Sequence, residues 1–236
     1  MICHGGGRDR RQHLRHVGHL RKHHNLAVFM FDKQEHGLSD GAGRGVGWFS
    51  YEGSDVYAAC SYAKYILGYE KIVAMGTSFG GVGVLTAAGH FDKSGSVIDG
   101  VIAENPISSK YAFVREIVHS NTALGYVMPG FLREVLAWCI CLVISWRRNS
   151  FGIPDPIQIV DKIAPRPLLI THGEADALVP FEHGMVLYEA AKSPKEFLGV
   201  PGCDHCEIQQ TDPVGWHRAT SSLFKAVMSD EKVRTN

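Results

Sequence analysis

The chain has no surplus of charge. Lys and Arg together number 24, Asp and Glu number 24, and the formal net charge is zero. Phosphate binding needs a clustered cationic surplus, so this balance makes no case for nucleic acid as the main partner. A long membrane-spanning run is also missing. The strongly apolar stretch Phe131 to Trp146 has an uncharged part, Val135 to Trp146, shorter than the roughly 18–20 residues a spanning helix needs. No internal repeat and no low-complexity segment is present. Cysteine is sparse, with six in 236 residues, at positions 3, 60, 139, 141, 203 and 206. No signal peptide is expected ahead of them, and the chain is long enough to bury a sizeable core. The expectation is free thiols in a cytoplasmic protein. Cys203 and Cys206 have C-x-x-C spacing around His205, but no second ligand pair of matching spacing accompanies them, which argues against a metal reading. Cys139 and Cys141 lie in an apolar run and read as packing residues.

What is present is a rhythm of short apolar runs alternating with amphipathic stretches. Met1–Cys3 leaves three residues for a strand before His4-Gly5-Gly6-Gly7, so the expected sheet is shortened on its N-terminal side. Arg8 to His24 reads as a helix packed on a sheet face, with Leu14, Val17, Leu20 and either His13 or His24 as its apolar stripe. Six of the thirteen histidines lie between residues 4 and 24; they read as a solvated basic face, with a metal site as the alternative. Leu26–Phe31 is expected to be a strand buried on both faces. Asp32 to Gly41 reads as a loop, with Asp32 anchoring it through backbone amides. Gly41, Gly43, Gly45 and Gly47 extend it as a flexible connector, because their spacing matches no phosphate-binding fingerprint. Ser54 is expected to cap a helix over 55–67.

Further strands are expected over 71–75, 97–103, 167–171 and 195–200. Helices are expected after Ser78, over 181–192 and over 214–227, with a frayed tail after Met228. Strand-then-helix order repeated in this way predicts an α/β fold, a single domain over 1–236 with a mostly parallel sheet and helices on both faces. Residues 108–158 break the rhythm, and their apolar helix reads as a helical cap over a pocket. The alternative for 131–148 is a peripheral membrane contact with Arg147 and Arg148 at the headgroups.

In a parallel sheet, ligands bind beyond the carboxyl ends of the strands. Three side chains that together make a nucleophile fall there in a telling order. Gly76-Thr77-Ser78-Phe79-Gly80 follows a short apolar strand and precedes a run of small residues, which is the strand–turn–helix setting that holds a serine hydroxyl above the sheet edge. Asp176 follows the strand at 167–171, and His205 follows the strand at 195–200. A serine hydroxyl is a poor nucleophile, so His205 would take its proton on attack and return it to the leaving group. Asp176 would hold the imidazole in the useful tautomer. Glu104, also at a strand end, is the alternative acid. The backbone amides of Phe79 and Gly6 are the expected oxyanion donors. His172 and His36 read as loop-shaping residues and His183 as a helix-face residue.

Through His4-Gly5-Gly6-Gly7, Asp32 to Gly41, Gly76 to Gly81, His172 to Pro180 and Gly202-Cys203-Asp204-His205, the sequence resembles the alpha/beta-hydrolase superfamily. The nearest likeness is to its serine aminopeptidase-like and monoacylglycerol-lipase-like members. The resemblance implies a Ser–Asp–His triad, hydrolysis of esters, thioesters or amides, no cofactor and no metal ion, and a variable cap where residues 108–158 stand. It also implies two further strands before the His-Gly loop, so this chain reads as N-terminally truncated against that pattern. The expected reaction is cleavage of a small-molecule carboxylic ester with an apolar acyl part. An aminopeptidase or amidase, and a truncated non-catalytic relative, are the alternatives.

Overall fold

Short β-rich runs that stop at glycine or a polar residue give the strands. The computed structural model describes residues 1–41, 45–120 and 122–229. Gly43 and the tail beyond Ser229, for which the sequence gives expectations, lie outside those residues. In chain order the elements are β1 (Ile2–Cys3), α1 (Leu14–His24), α2 (Glu52–Tyr65), β2 (Val73–Thr77), α3 (Phe79–Thr86) and β3 (Gly100–Glu104). Then come α4 (Lys110–Ser120), α5 (Thr122–Val127), α6 (Gly130–Arg147), β4 (Leu168–Gly173), α7 (Glu182–Ala190), β5 (Lys195–Val200), α8 (Ile208–Thr211) and α9 (Pro213–Ser229). A 3₁₀ turn over Arg10–His13 leads into α1, and a π-helical turn over Ala87–Phe91 extends α3.

The five strands form one parallel sheet in the order β1-β2-β3-β4-β5. Register lines up their carboxyl ends: Cys3 pairs with Gly76, Thr77 with Glu104, and Glu104 with Thr171. The direction of winding changes at β1. Its outer neighbour is the extended chain at Met30, held by a parallel bridge from Ile2 and by the Ile2 N–H donating to the Phe29 carbonyl at 2.9 Å. The chain therefore leaves β1 through α1 to one side and returns through α2 to β2 on the other. A crevice opens at such a switch point, beyond the carboxyl ends of the strands, and the His4–Gly7 loop begins there.

Three apolar clusters hold this frame. One face of the sheet is covered by α2, α3 and α7, through Val56, Cys60, Val84, Leu85 and Leu187 among others. The opposite face is covered by α1 and α9, through Leu20, Trp216, Ala219, Leu223 and Val227. The third cluster sits over the carboxyl edge, where α4 and α6 bring Phe113, Val114, Ala137 and Cys141 against Trp48, Phe49 and Phe79. The helices between β3 and β4 thus pack over the end of the sheet that carries Ser78. The outward side of α6 exposes Phe131, Val135, Trp138, Leu142 and Trp146. Among the described residues no helix is long and apolar enough to cross a membrane.

Four local expectations are corrected. The 26–31 segment is not a strand buried on both faces. It is extended chain at the sheet edge with one bridge, and its apolar side chains are only half covered. An apolar run records burial of its side chains but not the number of neighbouring strands. The helix expected from residue 55 starts at Glu52, and the Ser54 hydroxyl donates to the Tyr51 carbonyl within its first turn. In α1, Leu14 is exposed, while His13 and His16 are buried, each 2% exposed. They belong to a polar network inside the fold and not to a solvated face. Cys139 is exposed, whereas Cys141 is buried.

Candidate active site

The Gly76–Gly80 turn is tight for a steric reason. A Cβ on Gly80 would strike the carbonyl oxygens of Cys3 and His4, and one on Gly76 would strike the carbonyl of Gly80. Only hydrogen at those positions lets α3 start directly off β2 and lie against β1. Ser78, between them, sits at φ 57° and ψ −120°, a conformation disfavoured for a side chain bearing a Cβ and held here by its surroundings. The Ser78 N–H donates to the Glu104 carbonyl at 2.8 Å, and its own carbonyl accepts from the Val82 N–H at 3.0 Å. The residue is 6% exposed, at the end of the sheet where the other candidate groups converge.

Asp176 and His205 meet. The imidazole Nδ1 lies 2.6 Å from Asp176 Oδ2, and Asn105 Nδ2 donates to the same oxygen at 2.7 Å. The other oxygen accepts the N–H groups of Leu178 and Val179 at 2.9 and 2.8 Å. Burial opposes ionisation of Asp176. The nearby His172 ring, 3.6 Å from Oδ2, together with hydrogen bonding from His205 and Val179, outweighs it and holds the carboxyl well below the usual carboxylate range. An ionised carboxylate fixes the proton on Nδ1 and leaves Nε2 as the free base. No hydrogen bond joins Ser78 Oγ to His205 in this structure.

The glycine loop approaches the same point. A Cβ on Gly5 would lie 3.5 Å from Ser78 Cβ, and one on Gly6 would lie 3.0 Å from the Phe79 ring. The amides flanking Gly6 are engaged. Gly5 N–H donates to Gln12 Oε1 at 2.8 Å, and Gly7 N–H to His36 Nε2 at 3.2 Å. Gly6 N–H donates to no group among the described residues. His4 shapes the loop from beneath: its Nε2 accepts the Lys33 N–H at 3.1 Å and its Nδ1 faces the Gly5 carbonyl at 2.8 Å. A cleft of about 760 Å³ opens beside this loop, bordered by Gly7, Arg8, Arg15, His36, His205 and Gln210. The last turn of α6 is tied to it: Arg148 pairs with Glu35 at 3.1 Å and donates to the Val46 carbonyl.

Glu104, the alternative acid, is engaged elsewhere. It is 1% exposed. Its carboxylate accepts from Trp216 Nε1 at 2.6 Å and from the Thr77 hydroxyl at 3.2 Å, and it faces His16 Nε2 at 3.5 Å. Burial raises its pKa, but the His16 and Trp216 contacts prevail and bring it down to about 2. His172, His36 and His183 act as linkers within the fold. His172 Nε2 faces the Val179 carbonyl, His36 Nδ1 the Gln34 carbonyl, and His183 Nδ1 the Ser108 hydroxyl and N–H. His183 is buried. Asp32 anchors its loop as expected, accepting from the N–H groups of Arg10 and Leu38. Sequence reading missed Asn105. Its signal was an Asn-Pro pair at the end of a buried strand, and its φ of 44° turns the side chain onto Asp176.

Comparisons with known proteins agree with this architecture. A family model described as "Alpha/beta hydrolase family" matches residues 1–216. The YfhR protein of Escherichia coli (strain K12) is 25% identical over 185 residues, covering 78% of this chain and 54% of that protein. The chain spans about half the length of the curated relatives it matches. Among solved structures, the alpha/beta hydrolase GrgF from a Penicillium species superposes with a TM-score of 0.68 at 20% identity, over 97% of this chain and 89% of that one. The Pyrococcus furiosus esterase Pf2001 superposes with a TM-score of 0.69 at 18% identity, over 95% and 80%. At these identities the solved structures bear on the fold alone.

Proposed function

The chain belongs to the alpha/beta hydrolase family, and on that premise we propose that it is a serine hydrolase cleaving a carboxylic ester. Ser78 is the nucleophile, His205 the general base and then acid, and Asp176 the residue that orients the imidazole. The backbone amides of Phe79 and Gly6 receive the oxyanion. The observation that carries this reading is the 2.6 Å contact between Asp176 and His205 at the sheet edge where Ser78 is held in its strained turn.

With Nδ1–H directed at Asp176, the Nε2 lone pair of His205 accepts the Ser78 proton as Oγ attacks the ester carbonyl. The gap between Oγ and the ring closes when substrate fills the site, as catalytic hydrogen bonds commonly tighten in the Michaelis complex. Phe79 is the first residue of α3, where backbone N–H groups lack helical partners and the helix dipole favours negative charge. Together with the Gly6 N–H it meets the oxygen of the tetrahedral intermediate. His205 then protonates the departing alcohol, and water hydrolyses the acyl-enzyme by the same route in reverse. Losing one oxyanion donor typically costs about 10²–10³ in turnover.

The apolar cluster of Trp48, Phe49, Phe79 and Phe113 under α4 and α6 suits an apolar acyl group, with residues 108–158 serving as its cap. The polar cleft beside His205 suits a hydrophilic alcohol. On the outer side of α6, Phe131, Val135, Trp138, Leu142 and Trp146 form a stripe at helical spacing that ends at Arg147. That pattern fits the interface of a lipid surface, with tryptophan and arginine at headgroup level. No observation favours an aminopeptidase: of the carboxylates that would hold a free amine, Glu104 is engaged by Trp216 and Thr77, and Glu35 by Arg148.

A fluorophosphonate probe tests the central claim. The wild-type protein takes the label and Ser78→Ala does not. Equal labelling of the two, or none of either in folded protein, overturns it. Nitrophenyl esters of increasing acyl length then test the acyl preference.

A further inference from the structure

The face of the sheet covered by α1 and α9 carries a second cluster of chemistry. Helix α1 ends at His24, because Asn25 turns into the left-handed region at φ 51°. His19 and His24 then meet His217, which follows Trp216 on α9. One ring nitrogen from each of the three lies within 4.8 Å of the other two. His19 Nε2 and His217 Nδ1 are 3.0 Å apart. His24 Nε2 is buried and has no hydrogen-bond partner among the described residues.

From this geometry we infer that His19, His24 and His217 form a binding site for one divalent transition-metal ion, with Zn²⁺ as the reference ion. Three neutral imidazoles offer three lone pairs to a common point. Bonds of about 2.0–2.1 Å in a tetrahedral set require ligand nitrogens roughly 3.3 Å apart. The observed separations, 3.0 Å for the His19–His217 pair and no more than 4.8 Å within the trio, bracket that value. An all-imidazole set suits zinc, copper or nickel and offers nothing to calcium or magnesium, which take oxygen ligands. The carboxyl end of α1 adds a partial negative charge that favours a cation. The orphaned His24 nitrogen is the second line of support. A buried ring nitrogen without a partner is costly, and a metal would satisfy it.

The rings are also held in place. Trp216 packs edge-on against His19 with centroids 5.1 Å apart, and Phe224 lies 4.9 Å from His24. The His23 ring lies tilted against His19, with centroids 4.4 Å apart. The ion would join the last turns of α1 to the first turns of α9, the two helices that cover this face of the sheet. This inference does not rest on the hydrolase reading.

The test uses tag-free protein, since a polyhistidine tag would compete for metal. Chelator-treated protein is titrated with Zn²⁺ against a chromogenic chelator, and with Cu²⁺ for electron paramagnetic resonance. The expected result is one equivalent of Zn²⁺ bound and a copper signal with three imidazole nitrogens. Replacing His19, His24 or His217 with Gln weakens Zn²⁺ binding by about tenfold or more each. The replacements His205→Ala and Cys206→Ser leave it unchanged. The wild-type copper spectrum counts nitrogens without relying on any variant that fails to fold. No saturable equivalent, a single-nitrogen spectrum, or binding lost with His205 and retained without His217 overturns the site.

Discussion

The indole N–H of Trp216 donates to Oε1 of Glu104 across 2.6 Å, and so joins the closing helix to the strand beside the Ser78 turn. The two residues are 112 positions apart in sequence. Both are buried, and the Thr77 hydroxyl donates to the other oxygen of the same carboxylate. The contact gives Glu104 a structural task. Glu104→Ala would leave an indole N–H unpaired in the interior and is expected to cost about 2–3 kcal/mol, read as a drop in the urea midpoint. Fluorophosphonate labelling of the native fraction should persist. A variant of full stability that no longer labels would instead make Glu104 the triad acid.

Asp176→Asn separates orientation from folding. The amide keeps an oxygen for the Leu178 and Val179 N–H groups but no longer holds Nδ1–H in place. Turnover of a nitrophenyl ester should fall by roughly 10⁴, with a much smaller change in thermal midpoint. A loss under tenfold would remove Asp176 from the chemistry.

Gly80→Ala tests the close approach of α3 to β1. The added methyl would meet the carbonyl oxygens of Cys3 and His4, which are backbone atoms and cannot swing away. A cost of about 3 kcal/mol or more is expected, seen as lost soluble yield or a sharply lowered midpoint. Gly7→Ala is the contrast: no atom lies near its added methyl, and only the strain of its φ of 65° remains.

Acid should weaken the fold early. Burial first, and then neighbouring positive charge, lowers His4 and His183 from 6.5 to about 4 and His13 to about 3. The unfolded chain takes up protons at these positions that the folded chain refuses. Their contribution is therefore complete above about pH 6.5 and declines as pH falls toward the folded values. Glu104, lowered from 4.5 to about 2, adds a further loss between those two values. Urea midpoints should fall steadily from about pH 7 to about pH 4. A flat profile over that range would contradict the burial of these imidazoles as neutral rings.

For the outer stripe of α6, serine at Val135, Trp138 and Leu142 should abolish flotation with anionic liposomes while leaving ester turnover in solution intact. Equal flotation of the two proteins would leave the stripe without a lipid role.

Much of the frame was legible because it is written locally. The Gly76–Gly80 turn, the parallel strands and the chain order of Ser78, Asp176 and His205 follow from short-range pattern and one rule of sheet topology. What was not legible depends on partners distant in sequence. Helical spacing offers His13 as a stripe member, but hydropathy registers His16 as polar, and neither signals that Thr77 and Glu104 await these rings inside the fold. Leu26–Phe31 reads as a central strand because an apolar run looks the same at an edge. Ser54 looks like a cap until Glu52, two residues earlier, is found buried and already helical. Asn105 acquires its role only when a loop 71 residues later delivers Asp176 to it.

Under the proposed cap role of α6, the Arg148–Glu35 pair makes access and reactivity one variable. Arg148 caps the carboxyl end of α6, and Glu35 adjoins His36, the acceptor for the Gly7 amide. Lifting that helix to admit a substrate must either rupture a mostly buried ion pair or pull on the loop that steadies the Gly5–Gly7 amides. A compound that wedges the entrance open should therefore slow the acylation of small esters that never needed the wider door.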